Sequence, residues 1–389
     1  MKSILSVGMD VHKNSFSLCA YDGYTGEIVS ESTFASDVKL VIKFIETLKS
    51  RYENDVEIKC GYEAGCLGYS LYKSLTARGV DCVILAPTTM QVSAKNKMVK
   101  NDRMDALNIA KNLASGSYKS VYVSDEEDVE IKEYIRMIHD FKKELKRVKQ
   151  EICAFVLRHG YQYDGKSKWT IRYMNWIREL EMSEIQRETL NEYIAEMENL
   201  NDKINRFMNR IDEMYQSERY HEKVSKLRCF KGIETFAAMT IQVETADFER
   251  FPSAKAYASY TGLTTGEHSS GDKNNRIGIT KQGNTVIRKT LVECAQSLVK
   301  GNVYAKKSQG LKSRQKGMDV NIIAYADKAT ERLKKKYQKL IERNVPRNKA
   351  IVVHESNREE DCTKKLLIHD MRFTKPARRT INLRYPIHE

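Results

Sequence analysis

No uninterrupted apolar stretch of this chain approaches the roughly 20 residues that cross a bilayer, which excludes a membrane-spanning helix. The first residues carry no charged-then-apolar leader, so a cytoplasmic location is the expectation. Cys19, Cys60, Cys66, Cys82, Cys153, Cys229, Cys294 and Cys362 include no Cys-x-x-Cys pair, and no histidine lies at zinc-ligand spacing from them. Several occupy apolar positions, where cysteine acts as a small core residue. Reduced thiols without zinc are therefore expected. Between Asp125 and Arg228 there is no proline and little glycine, which argues against a turn-rich structure there.

Acidic residues are the minority. The 389 residues hold 66 Lys and Arg against 52 Asp and Glu, a net charge of +14. That excess favours a polyanionic partner, because each cation set against a phosphate releases condensed counterions. Scattered charge on a soluble protein has the same composition. The length suffices for two or three domains, each with its own core.

Residues 1–124 read as alternating strands and helices. Ile4–Val11, Phe16–Tyr21 and Glu27–Phe34 are short β-rich runs separated by Asp22-Gly23 and Thr25-Gly26. Val38, Val41, Ile42, Ile45 and Leu48 mark one face of a helix. Val56–Tyr62 then reads as a strand, Leu67–Ala77 as a helix and Val80–Leu85 as a strand stopped by Pro87. A meander followed by parallel crossover units is the order of a ribonuclease-H-like α/β fold. The first strand ends on Asp10, inside Gly8-Met9-Asp10-Val11-His12-Lys13.

Met104–Leu113 is a further helix, with Asp102 just before it and Asp105 in its first turn. Three residues apart, both carboxylates face one side. Capping of the helix start also accounts for an aspartate there. Glu63 sits in Gly61-Tyr62-Glu63-Ala64-Gly65, whose small neighbours allow close approach of an ion; a solvated loop explains it as well. Lys13, Lys97, Lys100 and Arg103 flank the acids and could neutralise a scissile strand, although solvated charge is the commoner role. Four converging carboxylates need a cation, since two at about 4 Å repel by roughly 4 kcal/mol at a surface-like dielectric. Mg²⁺, with Mn²⁺ as the alternative, suits oxygen ligands and phosphodiester chemistry.

Residues 125–226 carry two long amphipathic patterns, Ile131 to Val156 and Leu190 to Ile211, either side of a helix over Trp169–Leu180. They suggest an antiparallel hairpin or an oligomerising coiled coil. Residues 227–350 form a second, mainly helical unit. Lys231-Gly232-Ile233 feeds a small-residue helix, as in a helix-hairpin-helix or a plain turn. A Gly-rich stretch from Gly266 to Asn284 follows, with Lys273, Arg276, Lys281 and Arg288 around a helix start suited to phosphate. The tail, 351–389, is basic and aperiodic and reads as loop or disorder.

Five marks in order carry a resemblance: Gly-Met-Asp-Val-His-Lys at 8–13, Tyr-Glu-Ala-Gly at 62–65, Lys-Asn-Asp-Arg-Met-Asp-Ala at 100–106, Lys-Gly-Ile at 231–233, and Ser-Ser-Gly through Gly-Ile-Thr-Lys-Gln-Gly-Asn at 269–284. Over nearly residues 1 to 350 the chain resembles transposases of the insertion sequence 110 family, DEDD enzymes whose relatives include bridge-RNA-guided recombinases. The resemblance implies a RuvC-like first domain with Asp10, Glu63, Asp102 and Asp105 as metal ligands. It also implies a coiled-coil insert, a C-terminal transposase domain with a nucleophilic serine, and dimers that assemble into tetramers with composite active sites. Ser270 is the first choice for that serine and Ser269 the second. DNA and a structured guide RNA are the implied partners, and no local Ser-His-Asp arrangement competes with metal activation of the serine. Where relatives continue a closing helix past Ala350, this chain turns to His354-Glu355-Ser356-Asn357-Arg358-Glu359-Glu360. A metal-dependent junction nuclease acting through water, and a non-catalytic nucleic-acid binder, are the rival readings.

Overall fold

The computed structural model describes residues 3–52, 56–65, 67–91, 101–267 and 276–352. Lys97, Lys100, His268, Ser269, Ser270, Lys273, Cys66, Cys362 and the tail from 353 lie outside the described residues.

Chain contacts divide the protein between Ser124 and Asp125. The first unit runs β1 (Ser3–Val11), β2 (Ser15–Asp22), β3 (Ile28–Ala35), α1 (Val38–Arg51), β4 (Val56–Glu63), α2 (Ser70–Thr76), β5 (Asp81–Leu85) and α3 (Asp102–Ser115). The sheet order is β3-β2-β1-β4-β5. Strands β1 to β3 pair antiparallel, whereas β1–β4 and β4–β5 pair parallel. This mixed sheet is the one that the element order led us to expect. Leu5, Val7 and Met9 of β1 pack with Val41, Ile45 and Leu48 of α1 and Leu71 and Leu75 of α2. On the opposite face, Ile109 and Leu113 of α3 pack on Leu85. Helix α2 starts later than its apolar pattern suggests, because Gly68 stands in a turn at φ +58°.

The second unit opens with α4 (Glu126–Arg158), α5 (Ile171–Glu179) and α6 (Glu184–Tyr215). Ile131, Ile135 and Ile138 near the start of α4 pack with Ile211 and Tyr215 at the end of α6. Val148, Ile152 and Phe155 near the end of α4 meet Leu190, Ile194 and Met197 near the start of α6. The two long helices are thus an antiparallel pair. Helix α5 begins two residues after the expected Trp169, since Trp169 is held at φ +65° and the Thr170 hydroxyl caps the Tyr173 amide. Then come α7 (Glu218–Arg228), α8 (Thr235–Thr245), α9 (Ala254–Thr261), β6 (Thr265–Glu267), β7 (Arg276–Ile279), α10 (Thr285–Leu298), α11 (Gln309–Gln315), α12 (Val320–Glu342) and α13 (Arg347–Val352). The β6–β7 pair was not foreseen, because strands of three and four residues are too short to show alternation. The first half of α4 shares its apolar core with α8, α9 and α10, so the helical pair is built into this unit. Cys19, Cys60, Cys82, Cys229 and Cys294 are buried, in line with their reading as small core residues.

His139 of α4 is buried, its ring edge-on to Phe236 of α8, and neither ring nitrogen has a hydrogen-bond partner among the described residues. Burial, with Lys289 and Lys142 nearby, pushes its pKa down to about 4. Below pH 6.5 the unfolded chain binds a proton that the folded one refuses, so stability falls as the pH drops from 6.5 through 4. The loss is about 2 kcal/mol at pH 5. Urea unfolding of His139→Phe should show a smaller pH 7-to-5 decrease than the parent; an equal decrease would clear His139 of the effect.

Candidate functional site

The site lies at the carboxyl end of β1. Gly8 faces α3 so closely that a Cβ there would come within 2.2 Å of the Ala106 carbonyl oxygen and 2.3 Å of the Ala110 amide. Gly61, its register partner on β4, faces the same way, towards Leu85 and Leu113. Side chains two residues on return to the same face of a strand. Asp10 and Glu63 are those residues, so both open toward α3 at adjacent strand ends.

Helix α3 brings the other two acids. The Asn101 side chain caps it by accepting from the Met104 amide, which leaves neither aspartate needed for that role. Asp102 is the first helical residue rather than the one before it, and Asp105 stands one turn on. Potential ligand atoms of Asp10, His12 and Asp102 all lie within 4.8 Å of one another. His12 Nε2–H donates to Asp10 Oδ2 at 3.1 Å and stands 3.8 Å from Asp102 Oδ1. Burial raises the Asp10 carboxyl above its usual pKa; His12 opposes this, and the charges of Asp102 and Asp105 add to it. A carboxylate so placed is short of positive charge. The oxygen-rich donor set fits a hard divalent cation, with one imidazole at its edge. Glu63 ends β4 on the strand beside Asp10 but is exposed and stands outside the tight cluster.

His12 is the member that sequence reasoning missed. Its signal was available: His12 follows Asp10 by two residues at the end of a strand, the spacing that returns a side chain to the same side. Lys13 is exposed in the turn after β1, and Arg103 forms an ion pair with Glu31 of β3.

In the second unit, β6 and β7 flank the segment that carries Ser269 and Ser270. The Thr280 amide donates to Thr264 O at 2.8 Å, and the Asn284 amide to Tyr260 O at 2.8 Å. Gly283, at φ +108°, allows that approach: a Cβ there would meet Tyr260 O at 2.2 Å. Asn284 caps α10 through the Val286 and Ile287 amides, and its amide nitrogen donates to buried Glu244 at 2.7 Å. Arg136 of α4 reaches the other oxygen of Glu244 at 3.4 Å. Arg288 donates to Thr261 O, Lys231 to Lys300 O, and Lys281 is exposed at φ +57°. Arg276 lies in β7.

Two family models match the chain. One, described as "Transposase IS116/IS110/IS902 family", covers residues 224–309. The other, a DEDD transposase model of the same kind, covers residues 7–160 and so includes all four acids. The transposase for insertion sequence element IS1533 of Leptospira borgpetersenii is 30% identical over 87% of this chain and 97% of its own length. The chain belongs to the IS110 family of transposases. A relative from Sinorhizobium fredii, y4qE, is likewise 30% identical, over 74% of this chain and 70% of its own. The transposase for insertion sequence element IS1111A of Coxiella burnetii is 23% identical over 84% and 88%. As an IS110-family transposase the protein cleaves and rejoins DNA, and no helix among its described residues is long and apolar enough to cross a membrane.

Proposed function

We propose that this transposase exchanges DNA strands with a divalent-metal site formed by Asp10, Glu63, Asp102 and Asp105 and a serine nucleophile, Ser270, with Ser269 as the alternative. The gathering of Asp10, His12 and Asp102 at one strand end carries this reading. Mg²⁺, or Mn²⁺ in its place, would supply the positive charge that a scissile phosphate and an ionising hydroxyl need. The residues themselves do the positioning. Asp10 projects from a rigid strand, Asp102 and Asp105 from the first turn of a capped helix, and His12 holds one Asp10 oxygen in place. Ser270 attacks the phosphorus, its proton leaves to a nearby acceptor, and the 3′ oxygen departs, which leaves a serine–phosphate link for the rejoining step.

Lys13, Lys100, Arg103, Lys231, Lys273, Arg276, Lys281 and Arg288 are the proposed contacts to phosphates, drawn from a chain with net charge +14. Arg288 and Lys231 would do so while also tying loops to their neighbours. A structured guide RNA selects the DNA, and the α4–α6 pair joins copies into dimers and then tetramers, as the family resemblance implies.

The test uses DNA carrying a cognate element end, cognate RNA and Mg²⁺, with the covalent adduct read on a denaturing gel. Ser270→Ala should lose the adduct at least a hundredfold while Ser269→Ala keeps it. The reverse pattern assigns Ser269. A double variant that still cuts DNA at the parent rate would point instead to hydrolysis by water.

A further inference from the structure

Between α4, α5 and the loop joining them lies a cleft of about 770 Å³ that the metal and serine reading leaves unused. Lys146, Lys149 and Lys168 line it together with Tyr161, Trp169 and Trp176. No carboxylate lines it, although the surrounding helices are rich in acids. On α4 those acids pair elsewhere: Lys143 with Asp140, and Arg147 with Glu144 and Glu151. Lys146 and Lys149, three residues apart, share one face of the helix and pair with no carboxylate among the described residues. Lys149 stands 5.3 Å above the Trp169 ring. The half-buried rings are braced by one another: Trp169 lies edge-on to Tyr173 at 5.2 Å, and Tyr163 lies 5.0 Å from Trp176. Trp169 is fixed in this place by a backbone at φ +65°, an arrangement bulky residues seldom adopt.

We infer that this cleft binds single-stranded DNA, with unpaired bases stacked on Trp169 and Trp176 and the backbone phosphates set against Lys146, Lys149 and Lys168. Aromatic faces with interleaved cations and no acidic group are the chemistry of single-strand recognition, since every base has a stacking face and every linkage one negative charge. Duplex bases are already stacked and cannot enter. An enzyme that cleaves and rejoins DNA exposes such strands. The inference rests on membership of the transposase family and not on the assignment of metal ligands or serine.

Trp169 and Trp176 are the only two tryptophans of the chain, so tryptophan emission reports on this cleft alone. Titrating the full-length protein with a thymidine oligonucleotide in low salt should produce a saturable loss of about half that emission. Trp169→Phe and Trp176→Phe, each keeping a ring, should divide the signal between them. Lys146→Ala with Lys149→Ala, both away from the apolar core, should weaken binding about tenfold or more and lower the salt slope by about 1.4, from 0.7 per lost phosphate contact. Quenching by duplex DNA at the same concentration would overturn the inference, as would no quenching by the oligonucleotide. A uridine RNA oligonucleotide bound tenfold more tightly would reassign the cleft to RNA. Emission that changes with protein concentration alone, and no further with DNA, would mean that a second copy fills it.

Discussion

Asp10→Asn should reduce DNA cleavage and strand exchange by about a thousandfold or more, equivalent to the several kcal/mol that charge stabilisation by a metal contributes. The folded state should survive. Asp10 carries its charge against burial and beside Asp102 and Asp105, so neutralising it removes repulsion rather than a needed contact. The melting temperature without metal should therefore hold or rise slightly. Adding millimolar Mg²⁺ should raise the parent's melting temperature and leave that of Asp10→Asn where it was, because ligand binding to the folded state stabilises it by mass action. Parent-level strand exchange by Asp10→Asn would remove the carboxylate from the mechanism. A Mg²⁺-dependent rise that persists in the variant would move the ion to other ligands. His12→Ala should have a smaller effect on both readouts, since it frees one Asp10 oxygen without removing a carboxylate.

Gly8→Ala should be the most damaging small substitution in the first unit. The added methyl would meet the Ala106 carbonyl oxygen at 2.2 Å and the Ala110 amide at 2.3 Å, both backbone atoms of α3 that no side-chain rotation can move aside. Helix and sheet must separate, at a cost of about 3 kcal/mol, the upper part of the range for overpacking. Since α3 carries Asp102 and Asp105, the same displacement should abolish Mg²⁺-dependent stabilisation. Gly61→Ala is the internal control. Its methyl would meet the flexible ends of Leu85 at 2.7 Å and Leu113 at 3.0 Å, which can shift, so its unfolding midpoint should fall less. Equal midpoints for the two variants would contradict the close approach of β1 and α3.

The elements themselves were largely legible. Strands β1, β2, β4 and β5 and helices α1, α3, α4, α6 and α10 follow from apolar spacing and turn residues, because those patterns are local consequences of backbone geometry. Their ends were less so. Asn101, not Asp102, caps α3, and the conformation at Trp169 delays α5. Those outcomes depend on which side chain wins a particular amide, and neighbouring polar residues compete nearly equally for it. The β6–β7 pair was too short to leave a pattern.

Sequence alone determined the order of strands and helices, the four acids and their position near strand and helix ends, and the basic excess that suits DNA. Motif order was sufficient to point to the family. Only the tertiary structure decided which groups meet. It brought Asp102 to Asp10 and His12 across about ninety residues of chain, left Glu63 exposed on the adjoining strand, and built the first half of α4 into the core of the second unit. It also assembled lysines from one helix and tryptophans from the next segment around a single cleft. Such meetings depend on packing between residues distant in sequence, and the spacing of residues along a chain carries no record of that.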